Sequence, residues 1–188
     1  MKKNLVRKQY LEKRKNLSND LFLSLESKII LNTIRIIKEL KPKTVHCYLP
    51  ITNKHELNTE LIFNYCWDND IITVVPISDF KASTMETVVY AKNTELQISK
   101  FGIPEPICPI SINNTDIDLI ITPMLAFDKS GQRVGFGKGF YDRFFAECKL
   151  ETQKIGISLF EPIDEIEDLH EHDFKLNKVI TPNEVFSF

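Results

Sequence analysis

The segment 118–122 (DLIIT) is almost continuously apolar, and such a run is typical of a β-strand that is buried on both faces of a sheet. Other β-prone runs predict strands at 44–49, 71–75, 87–91, 154–160 and 178–180. Helical patterns lie between the runs, at 2–16, 18–41, 59–68 and from 140 onward. Strands that alternate with helices predict an α/β fold with a mostly parallel central sheet.

The longest helical pattern has apolar residues at three-to-four spacing, at Phe22, Leu25, Ile29, Ile30, Ile34 and Ile37. This spacing predicts one helix face that packs in the core. Ser18 is a candidate N-cap, and Pro42 ends the helix because proline disfavours the helical conformation of the residue before it. The later stretch 80–114 is rich in polar residues and turn formers, which predicts irregular structure with a hairpin.

The length and the net charge of the chain limit the kinds of partner that it is expected to bind. The chain has 188 residues, of which 43% are hydrophobic, and this predicts a single globular domain over 1–188 rather than disorder. Twenty-four Lys and Arg against 26 Asp and Glu give a net charge of −2. A near-neutral chain lacks the basic surface that binds nucleic acid or anionic lipid, so we expect small-molecule partners, no nucleic acid and no membrane.

The cellular location is predicted from the cysteines and the N-terminus. The four cysteines at 47, 66, 108 and 148 form no C-x-x-C pair, so they are expected to be free thiols in a reducing compartment. The N-terminal segment is basic but has no apolar core of the kind that a signal peptide needs. The longest apolar runs are far too short to span a membrane. We therefore expect a cytoplasmic protein.

Glycine is concentrated in one short segment. Four of the six glycines lie at 131, 135, 137 and 139, between the buried run 118–122 and an amphipathic helix that begins near Phe140. Strand, glycine-rich loop and helix N-terminus together predict a phosphate-binding loop. Arg133 and Lys138 add positive charge, and Asp142 could hold Mg²⁺ against the phosphates. The competing interpretation is a mobile surface turn that happens to be rich in glycine.

The loop does not fit the common nucleotide motifs. A Walker loop needs G-x-x-x-x-G-K-[ST], but Gln132 stands five positions before Gly137 and a glycine follows Lys138. The dinucleotide pattern G-x-G-x-x-G also fails, because Phe140 stands where its last glycine should be. A common kinase or dehydrogenase is therefore disfavoured.

The segment FDKSGQRVGFGKGFYDRF resembles the signature of the 5-formyltetrahydrofolate cyclo-ligase family, which has an aromatic-Asp pair, a glycine, an arginine, G-x-G-x-G, an aromatic residue, Tyr and Asp. Further matches follow in the family's order: Lys3, Arg7 and Arg14, then ELNT at 56–59, GIPEP at 102–106 and HDFKL at 172–176. The resemblance extends over nearly the whole chain. It implies a three-layer α/β/α domain with a Rossmann-like sheet.

The resemblance also implies an activity, the ATP- and Mg²⁺-dependent conversion of 5-formyltetrahydrofolate to 5,10-methenyltetrahydrofolate with release of ADP and phosphate. It assigns catalytic roles to Arg133, Lys138 and Tyr141. It assigns ATP binding to Lys3, Arg7, Arg14, Arg133, Val134, Gly135, Phe136, Gly137, Lys138, Gly139, Phe140 and Tyr141. It assigns folate binding to Ile51, Glu56 and Tyr141, and Mg²⁺ binding to Asp142 and Asp173.

For several of these residues the sequence alone favours a plainer role. The cations of the N-terminal helix, 2–16, would be a solvated helix face, and only the resemblance brings that helix to the ATP site. Glu56 would be a helix N-terminal charge, and Phe136 and Phe140 are as suited to packing on the sheet as on a ligand ring. Glu105 lies in a family element without an assigned role.

Three other hypotheses remain open. The protein could be a catalytically silent nucleotide- or folate-binding module, although such a module could lose any of Lys3, Arg7, Arg133 and Asp142, and all four are present. It could be a phosphotransferase that acts on another pterin or amide. The run His170-Glu171-His172-Asp173 could hold a transition metal, but no third soft ligand is near in sequence. We expect a monomer.

Overall fold

The computed structural model describes residues 1–51 and 55–188. Four α-helices occur in these residues: α1 (Lys3–Lys15), α2 (Asn19–Leu40), α3 (Glu60–Asp68) and α4 (Phe140–Glu147). The strands of the first half are β1 (Thr44–His46), β2 (Ile72–Asp79), β3 (Thr84–Val89), β4 (Leu96–Ile98) and β5 (Pro104–Pro106). Those of the second half are β6 (Leu119–Pro123), β7 (Ala126–Phe127), β8 (Arg133–Val134), β9 (Gln153–Ile157), β10 (Lys178–Ile180) and β11 (Val185–Ser187).

A seven-stranded sheet in the order β11-β10-β9-β6-β1-β2-β3 forms the centre of the molecule. The five inner strands are parallel, whereas β3 and β11 join the two edges in antiparallel orientation. Strand β6 lies in the middle, between β1 and β9, and its Leu119, Ile120 and Ile121 are at most 1% exposed. The predicted α/β fold with a mostly parallel sheet is confirmed.

Helices cover both faces of this sheet, so the domain has three layers. On one face α2 and α3 pack on the side chains of alternate strand residues, including Leu119 and Ile121. On the other face α4 packs with Ile120 between those two positions. This arrangement explains why Leu119, Ile120 and Ile121 are all apolar, since the side chain of each packs in one of the two buried layers.

Helix α1 lies outside these layers and packs on a small hairpin formed by β7 and β8. Its Val6 and Tyr10 are buried against Ala126 and Val134 of the hairpin and against Ile166. The N-terminal basic segment therefore has one apolar stripe in an otherwise charged sequence. That stripe fixes the helix beside the residues that lead into the glycine-rich loop.

The structure differs from the sequence prediction mainly at element ends. Strands β1 and β9 end three residues before the predicted ends at 49 and 160, whereas β2 runs on to Asp79 because it pairs with β3 in a long hairpin. The stretch 80–114 contains β3 and the hairpin of β4 and β5. The sequence analysis did not predict the β7–β8 hairpin or the edge strand β11. In the described part of the chain, no helix has the length and apolar character that a membrane crossing requires.

Candidate active site

A cavity of about 790 Å³ opens at the carboxyl ends of the central strands. Chain order reverses direction across the sheet between β1 and β6, because β2 lies on one side of β1 whereas β6, β9 and β10 lie on the other. Tyr48 follows β1, Pro76 belongs to the second half of β2, and Pro123 ends β6, and all three line the cavity. Such a switch point is where open α/β sheets bind ligands, and the volume suits a small-molecule site.

The glycine-rich loop forms one wall of the cavity, between β8 and α4. Gly137 and Gly139 have positive φ angles of 88° and 67°, which residues with a Cβ rarely adopt. A Cβ at Gly137 would also lie only 3.0 Å from Nε of Arg7. Gly139 is the N-cap residue of α4, so the loop presents a helix N-terminus to the cavity. This is the arrangement that the sequence predicted for phosphate binding.

Arg133 and Asp142 form a partly buried ion pair beside this loop. Nη2 of Arg133 donates to Oδ1 of Asp142 at 2.6 Å, and Nη1 donates to the carbonyl oxygen of Phe174 at 2.7 Å. The same Oδ1 accepts a 3.2 Å hydrogen bond from the Phe174 amide. The Arg133 side chain is 6% exposed and lies 4.7 Å from the centre of the Phe145 ring. Both charged groups therefore have a fixed geometry at the cavity wall.

A second ion pair joins α1 to the segment before β10. The ammonium group of Lys3 pairs with Oδ2 of Asp173, which also accepts a 2.6 Å hydrogen bond from the His170 amide. Asp168 accepts from the backbone amide of Lys3 at 2.6 Å. Burial alone would raise the pKa of Asp173, but the His170 hydrogen bond and the Lys3 charge together outweigh it and lower that pKa. Asp173 is thus an anion held against a cation.

Arg7 and Arg143 hold the glycine-rich loop from two sides. Nε of Arg7 donates to the carbonyl oxygen of Gly135 at 3.0 Å. Arg143, on α4, donates to the carbonyl oxygens of Lys138 at 2.6 Å and of Ser83 at 2.5 Å. The loop is therefore tied to α1 and also to the turn between β2 and β3.

Another part of the cavity lining is an apolar, aromatic wall. It is lined by Phe80, Met85, Ile103, Pro104 and Phe140. The ring of Phe80 lies 5.2 Å from that of Phe140, edge to face, and 4.1 Å from that of Phe101. Phe136 is 39% exposed and also lines the cavity. The site thus has a charged side built by the loop and α1 and an aromatic side suited to a flat ring.

Tyr141 and Glu56 also line the cavity. The Tyr141 hydroxyl is fully buried and has no hydrogen-bond partner within 1–51 and 55–188, and burial raises the pKa of this phenol well above its ordinary value. Oε2 of Glu56 accepts a 2.8 Å hydrogen bond from the Ile51 amide. Both Glu56 and Ile51 line the cavity, so the structure brings the residues predicted to bind folate to the same space as the loop.

Three residues singled out in the sequence do not line the cavity. Arg14 is buried at 6% exposure and donates to the carbonyl oxygen of Met124 at 2.8 Å. Val134 packs in the apolar cluster under α1. Glu105 borders a separate shallow depression beside Phe101. The other residues predicted for ATP, folate and Mg²⁺ line the cavity.

Twelve residues of the cavity lining were not predicted to bind ATP, folate or Mg²⁺, among them Phe80, Met85, Asp168 and His170. Ile103 and Pro104 belong to the GIPEP run, and their part in the resemblance was the only signal for that wall. Phe80 and Met85 gave no signal, because they lie in a stretch without clear periodicity. Asp168 gave none because its contact with the Lys3 amide spans 165 positions.

The carboxylates of Asp142 and Asp173 suit a magnesium ion that is shared with phosphate groups. Mg²⁺ in such sites takes one or two protein carboxylates and completes its shell with phosphate oxygens and water. Within the described ranges, no group of three or more His, Cys, Asp or Glu could hold a metal ion. His172 and Glu171 lie 3.3 Å apart with side chains 86% and 85% exposed, so nothing here supports the transition-metal hypothesis.

The fold and the cavity together define an α/β protein with a cavity of small-molecule size at a sheet switch point, lined by a glycine-rich loop and by an aromatic wall. The model of the 5-formyltetrahydrofolate cyclo-ligase family matches residues 1–182, and the chain belongs to this family.

Curated relatives and solved structures agree with that assignment. The chain is 31% identical over 162 residues to the 5-formyltetrahydrofolate cyclo-ligase of Mycoplasma pneumoniae, covering 84% of this chain and 85% of that protein. It is 30% identical over 141 residues to that of Escherichia coli K12, covering 71% and 75%. The solved 5,10-methenyltetrahydrofolate synthetase of M. pneumoniae superposes with a TM-score of 0.79 at 27% identity, covering 97% of this chain and all of that one. That of Aquifex aeolicus gives 0.77 at 29% identity, covering 100% and 93%.

Proposed function

We propose that this protein converts 5-formyltetrahydrofolate to 5,10-methenyltetrahydrofolate and uses ATP with Mg²⁺ to do so. Membership of the cyclo-ligase family supports the folate substrate. The observation that supports the ATP part is that a cationic glycine-rich loop and an aromatic wall line the same cavity. One side suits a triphosphate and the other suits a pterin or an adenine ring, so both substrates can meet there.

The reaction requires activation of a poor electrophile. The formyl oxygen attacks the γ-phosphorus of ATP, the bond to the bridging oxygen breaks, and ADP leaves. N10 of the folate then attacks the formyl carbon and loses its proton, and the carbon–oxygen bond breaks to release phosphate. The product carries its positive charge over N5, the new carbon and N10. The protein's task is to position the reactants and to stabilise charge on the transferring group.

The cations of the cavity are suited to that task. Arg133 is fixed by Asp142 and by the Phe174 carbonyl, so it loses little freedom when it contacts a phosphate oxygen. Lys3 and Arg7 reach the cavity from α1, and Lys138 from the loop. The loop amides and the α4 N-terminus add further donors. Together these groups bind the triphosphate and orient its terminal phosphorus toward the folate.

The proposed magnesium ligands are Asp142 and Asp173. When bound there, Mg²⁺ supplies positive charge that neutralises the phosphate oxygens. Each carboxylate already pairs with a cation, Arg133 or Lys3. In this proposal Asp142 keeps Arg133 oriented and Asp173 keeps Lys3 oriented, and the two negative charges reduce the repulsion between these two cations.

The folate is proposed to lie against the aromatic wall, with Glu56 and Ile51 at its edge. The Glu56 carboxylate can accept hydrogen bonds from the N–H groups of a pterin. Tyr141 also lines the cavity, and its buried hydroxyl can donate to the formyl oxygen or to a phosphate oxygen. Because the pKa of this phenol is raised by burial, it stays protonated and acts as a donor.

The decisive experiment is a turnover assay with purified protein, 5-formyltetrahydrofolate and either ATP, Mg²⁺, both or neither. The product is followed by the absorbance of the methenyl-folate chromophore. A rise that needs both additions supports the proposal. If ligands bind by calorimetry but no product forms, the protein is instead a silent binding module.

The remaining proposals concern the protein's surroundings. The four cysteines are free thiols, two of them buried, which suits a reducing compartment such as the cytoplasm. We propose a monomer whose single domain contains the complete cavity, with α1 as part of the ATP site. Size-exclusion chromatography with light scattering measures this directly.

A further inference from the structure

Asp128 is a buried carboxylate that lies behind the cavity rather than in its lining. It follows β7 directly and is 1% exposed. We infer that Asp128 is a positioning residue that holds α1 and the glycine-rich loop in a fixed relation, so that Lys3 and Arg133 meet the same phosphate chain. The inference rests on the ATP site proposed above and adds a residue that touches neither substrate.

One oxygen of Asp128 organises the turn that leads into the loop. Oδ1 accepts hydrogen bonds from the Ser130 amide at 2.9 Å, the Ser130 hydroxyl at 2.6 Å and the Gln132 amide at 3.1 Å. The Asp128 amide donates to the Gln132 carbonyl oxygen at 2.9 Å. Arg133 is the next residue along the chain. The direction in which it enters the cavity wall is therefore set by this turn.

The other oxygen of Asp128 reaches the segment that receives α1. Oδ2 accepts a 3.1 Å hydrogen bond from the Ile166 amide. The segment 163–168 is also joined to the end of β7 by two backbone hydrogen bonds. The Lys129 amide donates to the Ile163 carbonyl oxygen at 3.1 Å, and the Ile163 amide donates to the Phe127 carbonyl oxygen at 2.8 Å. Two residues beyond Ile166, Asp168 accepts from the Lys3 amide. The Asp128 carboxylate thus links the segment that positions Lys3 to the turn that positions Arg133.

Only a carboxylate satisfies all four donors at once. Each oxygen of an ionised carboxylate accepts, whereas an asparagine has one acceptor oxygen and one donor nitrogen. An asparagine at 128 would turn its NH₂ group either toward the Ile166 amide or toward the three donors of the turn. In either orientation the NH₂ group of the asparagine faces another N–H or O–H donor, so residue 128 loses its hydrogen bonds either to the 130–132 turn or to Ile166.

A positioning role and a purely structural role predict different kinetics. If Asp128 only stabilises the domain, Asp128→Asn lowers the amount of folded enzyme and leaves both KM values alone. If it positions the phosphate-binding cations, the variant raises the KM for ATP and weakens ATP binding. The KM for 5-formyltetrahydrofolate then stays unchanged, because the side chain of Asp128 bonds to Ser130, Gln132 and Ile166, and the cavity lining where the folate is proposed to bind does not include these three residues.

The experiment compares Asp128→Asn and Ser130→Ala with a matched control, Asp164→Asn. Asp164 is a carboxylate of the same segment, but its side chain is 91% exposed and pairs with the exposed Lys129. We expect Asp128→Asn to raise the KM for ATP by about tenfold, since two charged donors lose their alignment. Ser130→Ala removes the Ser130 hydroxyl, one of the four donors to Asp128, and should raise the KM for ATP by about threefold. Asp164→Asn should match the wild type, and the KM for folate should change in none of them.

The double variant Asp128→Asn/Lys3→Met tests the route of the effect. If Asp128 acts partly through Lys3, the Kd for ATP of the double variant, measured by calorimetry, rises by less than the product of the fold-increases in the two single variants. Multiplicative losses, or equal increases in both KM values, overturn the inference. If Asp128→Asn does not fold, Ser130→Ala decides: a higher KM for ATP alone supports the role, and an unchanged KM overturns it. A wild type without ATP-dependent turnover would instead overturn the proposed function, and it is measured first.

Discussion

The ammonium group of Lys3 pairs with the carboxylate of Asp173, 170 positions further along the chain. The Lys3 side chain is 8% exposed and that of Asp173 is 18% exposed. The pair joins the first turn of α1 to the segment before β10, and both residues line the cavity. An N-terminal helix that looks like a solvated basic face in the sequence is therefore part of the cavity wall.

Lys3→Met should weaken ATP use with little effect on folate use. The substitution keeps the length of the side chain but removes its charge, so a phosphate loses a charge-assisted hydrogen bond of about 1.5–3 kcal/mol. We expect the KM for ATP to rise about tenfold or more in steady-state assays. Lys8→Met is the matched control, because Lys8 is an exposed lysine of the same helix outside the cavity lining. Equal effects of both substitutions would show that the net charge of α1, rather than Lys3, is responsible.

Asp142→Ala should nearly abolish Mg²⁺-supported turnover and leave a folded protein. The variant removes a proposed magnesium ligand and one of the two acceptors that orient the Arg133 guanidinium at the cavity wall. We expect kcat to fall by about 100-fold or more and to stay low at saturating Mg²⁺, while thermal unfolding remains cooperative. Glu147→Ala, at the exposed end of the same helix, is the control. Near-normal turnover of Asp142→Ala at high Mg²⁺ would contradict the assignment.

The conformation of Gly137 offers a test of the loop that is independent of activity. Gly137→Ala places a Cβ at a φ of +88° and 3.0 Å from Arg7 Nε, so the Arg7 side chain must shift by a few tenths of an ångström, which disturbs its hydrogen bond to the Gly135 carbonyl oxygen. Gly102→Ala shares the positive φ, +76°, but its Cβ would meet open space. In urea denaturation we expect a loss of about 1 kcal/mol for Gly102→Ala and of about 2–3 kcal/mol for Gly137→Ala. Similar losses would mean that the contact with Arg7 is unimportant.

The sequence predicted the sheet and the loop well, for physical reasons. Leu119, Ile120 and Ile121 are apolar because both layers cover them, and the glycines at 137 and 139 are required by backbone angles that other residues avoid. These are local causes, and they leave local marks in the sequence. The family resemblance added Lys3, Glu56 and Asp173, which local patterns do not reveal.

The aromatic wall and the links behind the site could not be predicted in this way. Phe80 becomes a cavity residue because the hairpin of β2 and β3 carries it to Phe140. Asp128 was visible as part of a motif, but its bond to the Ile166 amide spans 38 positions. Arg14 resembled its neighbours on α1 and instead faces the carbonyl of Met124. Contacts of this range depend on the complete fold.

The four thiols should differ strongly in reactivity. Burial raises the pKa of Cys66 to about 12 and that of Cys148 to about 11, and it raises the pKa of Cys47 above the range in which thiols ionise. Cys108 is exposed. Because the thiolate is the reactive form, titration of the native protein with a thiol reagent at pH 8 should show one fast group. Cys108→Ser should remove that fast phase, and a second fast thiol in this variant would contradict the described burial.

His46 should make the fold sensitive to mild acid. The residue is fully buried on β1, its ring lies 4.6 Å from that of Phe144, and neither ring nitrogen has a hydrogen-bond partner in residues 1–51 and 55–188. Burial lowers the pKa of His46 from 6.5 to about 3. Between these values the unfolded chain binds a proton that the folded protein excludes, so the stability falls as the pH drops below 6.5.

The size of this effect follows from about 1.4 kcal/mol for each pH unit. At pH 5 the wild type should have lost about 2 kcal/mol of unfolding free energy through His46. His46→Leu has no group to titrate, so urea denaturation should show a smaller difference between pH 5 and pH 7.5. The exposed His172 provides the control, and His172→Asn should keep the wild-type difference. If His46→Leu keeps the wild-type difference between pH 5 and pH 7.5 as well, another group causes the acid sensitivity. In that case the proton taken up on unfolding does not bind to His46.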